Sequence, residues 1–204
     1  MDLPLVIVPK KLPNTSSRVT VYYPAIIQMA DAKVQRELNH QIISALNTLL
    51  VDQNFYDENL VELISNFEIK NNERNILSLN LITYSYTGGA HGMTVVKSLT
   101  FDTTIGKLYS LKDLFKSNSN YVSIISDIIR KRIADWNIDL LDPPFKTIRS
   151  DQDFYIADTS LVIYFQLYEI SPYASGFPYF PIPIKDLQHI IEPNSPLDRM
   201  IAFT

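Results

Sequence analysis

Asn75-Ile76-Leu77-Ser78-Leu79-Asn80-Leu81-Ile82-Thr83-Tyr84-Ser85-Tyr86 runs into Thr87-Gly88-Gly89-Ala90-His91-Gly92, and then into Met93-Thr94-Val95-Val96-Lys97-Ser98-Leu99-Thr100-Phe101-Asp102. Two extended runs on either side of a Gly-Gly turn form the pattern of an antiparallel hairpin. In the first run Leu77, Leu79 and Leu81 share one face, while Ile82, Tyr84 and Tyr86 carry the apolar pattern to the other. That slip of phase near Leu81-Ile82 predicts either a β-bulge or a strand covered on both faces. In the second run Met93, Val95, Leu99 and Phe101 alternate with Thr94, Ser98, Thr100 and Asp102.

Working upstream, Leu60 to Lys70 reads as another strand, joined to the first run through Asn71-Asn72, a turn signal. Before it, Val34, Leu38, Ile42, Ala45, Leu46 and Leu49 recur at spacings of three and four, which predicts a helix over 31–50 with Asp31 as its N-cap. Arg18 to Tyr23 is a strand that Pro24 ends. Downstream, Ser110 and Asp113 fit a capping box opening a short helical turn through Leu114 and Phe115. A second helix is expected over 120–136, where Tyr121, Ile124, Ile125, Ile128, Ile129, Ile133 and Trp136 keep helical spacing, and Asp142-Pro143-Pro144 stops it. Phe154 to Ala157 and Leu161 to Ile170 read as a hairpin, Pro172 to Gly176 as a loop, and Ile182 to Ile184 as a short edge strand. Leu187, Ile190 and Ile191 mark a last short helix.

The order β-α-β-β-β-(short α)-α-β-β-β-α places the chain in the α+β class, with a mostly antiparallel sheet and two long helices packed on it. A single domain over 1–204 is expected, with sub-halves at about 15–72 and about 73–191 and a loose tail over 192–204. The stretch from Asp113 to Asn120 offers a second place for the halves to meet.

Of the 204 residues, 46% are hydrophobic and 20% charged, so a full core is expected without help from disulfides or metal. The net charge of −4 and the absence of any basic run longer than Arg130-Lys131-Arg132 argue against nucleic acid as a partner. With no cysteine there is no thiol nucleophile and no Cys-ligated zinc. No window approaches the roughly 18 apolar residues of a membrane span. The opening residues carry Asp2 where a signal peptide carries basic residues, so the chain as written is expected to have no export signal and to be cytoplasmic. No motif for a nucleotide, a metalloprotease zinc or a hydrolase nucleophile is present, and no cofactor is expected.

Glycine is scarce, five in all, and three of them fall in Thr87–Gly92. Such clustering calls for positive φ or a close backbone approach. Two readings stand. In one the segment is a hairpin loop and nothing more; in the other His91 is a ligand or a general base. His91 has no Cys, His or carboxylate at ligand spacing, and His40 and His189 lie on helices far from it in sequence. Asp151, Asp153 and Asp158 crowd one region, but they lack the Gly and downstream Glu of the twelve-residue calcium loop and read as a solvated acidic turn.

Tyr84-x-Tyr86-Thr87-Gly88-Gly89-Ala90-His91-Gly92, followed by Phe101-Asp102-x-x-x-Gly106-Lys107-x-x-Ser110-Leu111-x-Asp113-Leu114-Phe115, resembles a family of bacterial domains of largely unknown function. Its members include lysozyme-sensing anti-sigma factors of the RsiV type and regions N-terminal to some peptidoglycan deacetylases. The segment from Phe154 to Gly176, with Leu161-Val162-Ile163-Tyr164-Phe165 and Tyr168-Glu169-Ile170-x-Pro172-Tyr173, is similar to the C-terminal half of that family. The resemblance covers roughly residues 15 to 191. It implies a non-catalytic binding or sensor module for a protein or a cell-wall glycan, since in the deacetylases the chemistry belongs to a separate domain. The alternative is a glycan or peptide hydrolase centred on His91.

Twelve tyrosines are present, and Tyr84, Tyr86, Tyr164, Tyr168, Tyr173 and Tyr179 gather near the Gly-rich turn and the last strands. Tyrosine both packs and binds. The candidate ligand-facing residues are therefore Tyr86, Gly88, Gly89, His91 and Gly92, together with Pro172 and Tyr173 of the second loop. No metal site and no catalytic residue is expected.

Overall fold

The computed structural model describes residues 4–13 and 16–201. These fall into two compact units that divide between Leu108 and Tyr109, each with its own sheet. The expected division at 72/73 falls inside the strand Glu62–Glu73, which pairs with the next strand as a hairpin. The single sheet carrying both helices is likewise replaced by two sheets, although the α+β class holds.

The first unit contains β1 (Val6–Lys11), β2 (Val19–Ile27), α1 (Ala32–Asp52), β3 (Glu62–Glu73), β4 (Ile76–Tyr86), β5 (Met93–Asp102) and β6 (Lys107–Leu108). The sheet keeps chain order, and every neighbouring pair is antiparallel except β2–β3. A parallel pair needs a crossover, and α1 supplies it. The Asp31 carboxylate accepts the N–H groups of Lys33 and Val34 at 2.8 and 3.1 Å, which fixes where α1 begins. Val34, Leu38, Ile42, Leu46 and Leu49 are buried, as their spacing requires. They share a core with Val19, Val21, Leu63, Leu77, Leu79, Leu81, Leu99 and Phe101 of the sheet. Each such leucine contributes about 1.5–3 kcal/mol of burial.

β4 is the central strand, and its phase slip is not a bulge. It pairs with β5 in unbroken register from Ile76 to Ser85, and the register shift lies on β3, between Ile69 and Asn71. The other reading holds: Ser78 and Asn80 are as buried as Leu77 and Leu79. Those polar side chains are satisfied across the strands, Ser78 with Thr100 at 2.9 Å and Asn80 with Ser98 at 2.7 Å. The β3–β4 turn also sits later than expected, at Arg74 and Asn75, both at positive φ. β1 was not foreseen; Pro9 is tolerated because β1 is an edge strand.

The second unit holds α2 (Tyr121–Asp135), β7 (Phe154–Ala157), β8 (Ser160–Tyr164), β9 (Tyr179–Pro183) and α3 (Pro196–Met200). The three strands form an antiparallel sheet in the order β7-β8-β9. β8 ends at Tyr164 rather than Ile170, and the last short helix is a 3-10 turn over Ile184–Ile190. α2 meets β9 through Trp136, stacked on Phe180 at 5.8 Å and 4°, and through the Arg132 guanidinium, which donates to the Pro181 carbonyl. Partial burial lowers the Arg132 pKa from its ordinary value, with Asp186 working the other way.

Phe165 N–H donates to Pro178 O and Ile184 N–H to Thr159 O, so the even-numbered residues of β9 pair with β8. Pro181 and Pro183 therefore take the outward-facing positions, and an edge that would otherwise show N–H groups shows none there. The tail from 192, expected to be loose, carries α3. Ser195 caps it by accepting from Asp198 N–H at 3.4 Å, and Leu197 and Met200 are buried. Residues 202–204 lie outside the described residues.

Candidate functional site

Thr87–Gly92 joins β4 to β5, as the sequence predicts. Gly88 and Gly89 adopt φ of 103° and 97°, and a Cβ on either would meet nothing within 4 Å. They are needed for backbone conformation, and their outer side is open. Gly92 is needed for a different reason: it lies against the Tyr84 ring and the Ser85 carbonyl. The Tyr86 hydroxyl donates to Gly89 O at 2.8 Å and ties the turn to its own strand. His91 is exposed, and its Nδ1 lies 2.9 Å from Gly92 O. The five candidate residues Tyr86, Gly88, Gly89, His91 and Gly92 thus form one turn, in the first unit rather than in the C-terminal half to which the sequence assigns the motif.

Pro172 and Tyr173 belong to the second unit. Tyr173 opens a single 3-10 turn that Gly176 ends at φ 71°. Its ring lies 5.6 Å from that of Tyr168, which is itself 46% exposed and held at φ 64°. Positive φ is unusual for tyrosine and strains the backbone there. Tyr164 and Tyr179 are cross-strand partners with rings 5.7 Å apart, and Tyr155 joins them at 5.9 and 6.2 Å. Tyr164 is core, while Tyr179 keeps 39% of its surface exposed.

A cavity of about 290 Å³ opens beside this second loop, walled by Pro143, Pro144, Phe145, Phe165 and Ile170. Its polar end is a network that no spacing in the sequence announces. The Arg149 guanidinium pairs with Glu169 and stands 3.5 Å from Asp151 and 3.6 Å from Asp153. Gln152 donates to Tyr164 O at 2.9 Å and to Glu169 at 3.2 Å, and Glu169 also accepts Gln166 N–H at 2.7 Å. Partial burial pulls against the Arg149 charge, but Glu169, Asp153 and Asp151 together outweigh it and raise its pKa above the ordinary value. The acidic residues weighed above for calcium are thereby accounted for: Asp151 and Asp153 serve Arg149, and Asp158 sits in the β7–β8 turn at φ 49°. The network straps 149–153 to 164–169 and sets one guanidinium among three carboxylates. His40 and His189 are exposed.

Comparison with known proteins follows the same division. Residues 11–94 match the family described as deacetylase PdaC, and residues 112–185 match the family described as protein of unknown function (DUF3298). The PdaC match falls within the first unit and the DUF3298 match within the second. The resemblance read from the Gly-Gly-Ala-His-Gly turn is thus to the right family. The anti-sigma-V factor RsiV of Bacillus subtilis is 26% identical over 190 residues, 86% of this chain and 66% of that protein. The peptidoglycan-N-acetylmuramic acid deacetylase PdaC of the same organism is 26% identical over 116 residues, 54% of this chain and 25% of that protein. This chain therefore spans just under two thirds of the anti-sigma factor and a quarter of the deacetylase. A DUF3298 family protein from Pseudomonas aeruginosa shares the fold with a TM-score of 0.71 at 17% identity, covering 95% of this chain and 96% of that one. A DUF3298 member from Bacteroides fragilis does so with a TM-score of 0.67 at 17% identity, covering 96% and 95%. At that identity the likeness is one of fold. Among the described residues no helix is long and apolar enough to cross a membrane.

Proposed function

We propose that this DUF3298-containing chain is a non-catalytic binding or sensing module that engages a protein or a cell-wall glycan through its loops. The ligand-facing residues are Tyr86, Gly88, Gly89, His91 and Gly92 in the first unit, and Pro172 and Tyr173 in the second. The observation that supports this most is the open side of the Gly88-Gly89 turn. A turn pinned by Tyr86 to a six-stranded sheet, with its backbone uncovered, is a rigid loop of the kind on which recognition residues sit. The likeness to an anti-sigma factor over 86% of the chain favours recognition over catalysis, and the deacetylase likeness covers only a quarter of that enzyme.

His91→Ala and Tyr173→Ala, made separately, test each loop. Binding would be measured to lysozyme first, which the family resemblance suggests, and then to peptidoglycan fragments. Lost binding at an unchanged Tm supports the loop concerned, with Tyr173→Ala costing on the order of 2 kcal/mol if it is an anchor. A fall of many degrees in Tm with binding retained in the folded fraction would reduce these residues to structural roles. Turnover of a glycan or peptide that His91→Ala abolishes would favour the hydrolase reading instead.

A further inference from the structure

The first unit exposes most apolar side chain where α1 leads into β3. Tyr56 is the most exposed large hydrophobic among the described residues, at 82%, and Val51 and Val61 stand at 58% and 48%. Phe55 packs against the core and meets the Tyr56 ring edge-on at 4.9 Å. The connection is held at both ends: Phe55 N–H donates to Leu50 O at 3.0 Å and Val61 N–H to Tyr86 O at 2.8 Å. It therefore closes the same end of the sheet as the Gly-rich turn.

The charge of this segment has one sign. Val51–Glu62 contains Asp52, Asp57, Glu58 and Glu62, and neither lysine nor arginine. Asp57 is occupied in the turn, accepting Asn59 N–H at 2.8 Å; Asp52, Glu58 and Glu62 are exposed. Asp52 is the last residue of α1, and no basic side chain lies in that turn. A carboxylate at the negative end of a helix dipole works against the helix. Arg18, the cation that a contact brings here, directs its guanidinium to Leu60 O at 3.2 Å.

We propose that this end of the first unit docks a lysine- or arginine-bearing segment of a partner protein. Tyr56 presents a ring on which a cationic head can lie, and Asp52, Glu58 and Glu62 are exposed carboxylates of the same segment. The pairing matches an aromatic face and negative charge to a positive partner, and it relieves the unfavourable charge at the end of α1. A neutral glycan can donate hydroxyl hydrogen bonds to those carboxylates but brings no positive charge to answer theirs. The inference rests on the reading of the chain as a binding module and adds the charge and class of the partner.

The test titrates the full chain with decalysine and follows its backbone amides by NMR, with decaglutamate as control. Shifts centred on Val51–Glu62 are expected with decalysine alone, weakening as salt rises past roughly 0.1 M. Tyr56→Ala should weaken binding by about threefold or more, whereas Tyr56→Phe, which keeps the ring and its Phe55 contact, should retain both binding and Tm. Asp52→Asn should weaken binding while raising Tm by about 1–3 °C, a pair of opposite signs that a structural role would not give. Glu73→Gln, at the far end of β3, should change neither. Shifts spread over the whole surface, or equal weakening by Glu73→Gln and Asp52→Asn, would overturn the proposal. Because decalysine binding is read on this segment, its result is separate from that of the His91 and Tyr173 variants.

Discussion

Between the ring of Tyr84 and the backbone of Gly92 there is no room for a side chain: a Cβ on Gly92 would lie 2.4 Å from two ring carbons and 2.5 Å from Ser85 O. Gly92→Ala must therefore move a ring and a strand carbonyl, and is expected to cost about 2–3 kcal/mol. Gly88→Ala meets open space, and only its φ of 103° is penalised, so about 1 kcal/mol is expected. Urea unfolding of the two variants checks the order. If Gly88→Ala proved the more damaging, the contact would not be the reason for Gly92.

A second relationship ties helix to sheet. The Asn39 side-chain amide on α1 accepts Ile26 N–H and donates to Ile26 O, both at 2.8 Å, matching one residue of β2 with two hydrogen bonds. Asn39→Leu keeps the volume and leaves both backbone groups without that partner. A loss of about 1–3 kcal/mol is expected. A change within 0.5 kcal/mol in denaturant melts would show that water replaces the amide at no cost.

The Asp31 cap predicts a dependence on pH. Hydrogen bonds from Val34 and then Lys33 hold its carboxyl below the usual carboxylate value, with smaller help from the charges of Lys33 and Arg36. A group whose folded pKa is lowered stabilises the fold above its unfolded pKa, and that contribution is lost as pH falls through the lowered value. Asp31→Asn should therefore melt below the parent near neutral pH, with the gap closing as the solution is taken below the ordinary carboxylate range. A gap that stays constant from neutral pH into strong acid would show that charge has no part in this cap.

What could be read from the sequence, and what could not, follows from the range of the signals. The stripe Val34, Leu38, Ile42, Leu46, Leu49 and the runs on either side of Gly88-Gly89 are local and periodic, so α1, β4 and β5 were legible. The β3–β4 turn was not, because Arg74 takes a φ of 53° that arginine rarely adopts, while Asn71-Asn72 carries the usual turn signature. Those asparagines are used elsewhere: Asn71 donates to Ile76 O at 2.8 Å, and Asn72 both donates to and accepts from the Leu5 backbone at 2.9 Å. The Leu5 contact joins residues far apart in sequence and falls beside β1, which the sequence did not reveal. The Gly-rich turn was legible from composition alone. The convergence of Gln152 and Glu169 on Arg149 was not, since it depends on the strained turn at Tyr168 bringing two distant segments together.

That turn carries the last prediction. Tyr168 and Tyr173 are the one exposed and one half-buried member of a ring pair at 5.6 Å, and Tyr168 holds positive φ beside Glu169 of the Arg149 network. If the pair exists to hold the Pro172–Gly176 loop, Tyr173→Phe should behave as the parent in stability, because the ring contact survives without the hydroxyl. Tyr173→Ala should lose the contact, worth about 0.5–1.5 kcal/mol beyond its buried area. If the pair also faces a ligand, Tyr173→Phe and Tyr173→Ala should separate differently in binding than in Tm. Tyr168→Gly adds the decisive comparison: it relieves the positive φ, so any destabilisation beyond that relief measures the ring alone. A Tyr168→Gly variant more stable than the parent, with Tyr173→Ala neutral, would show that the ring pair holds nothing in place.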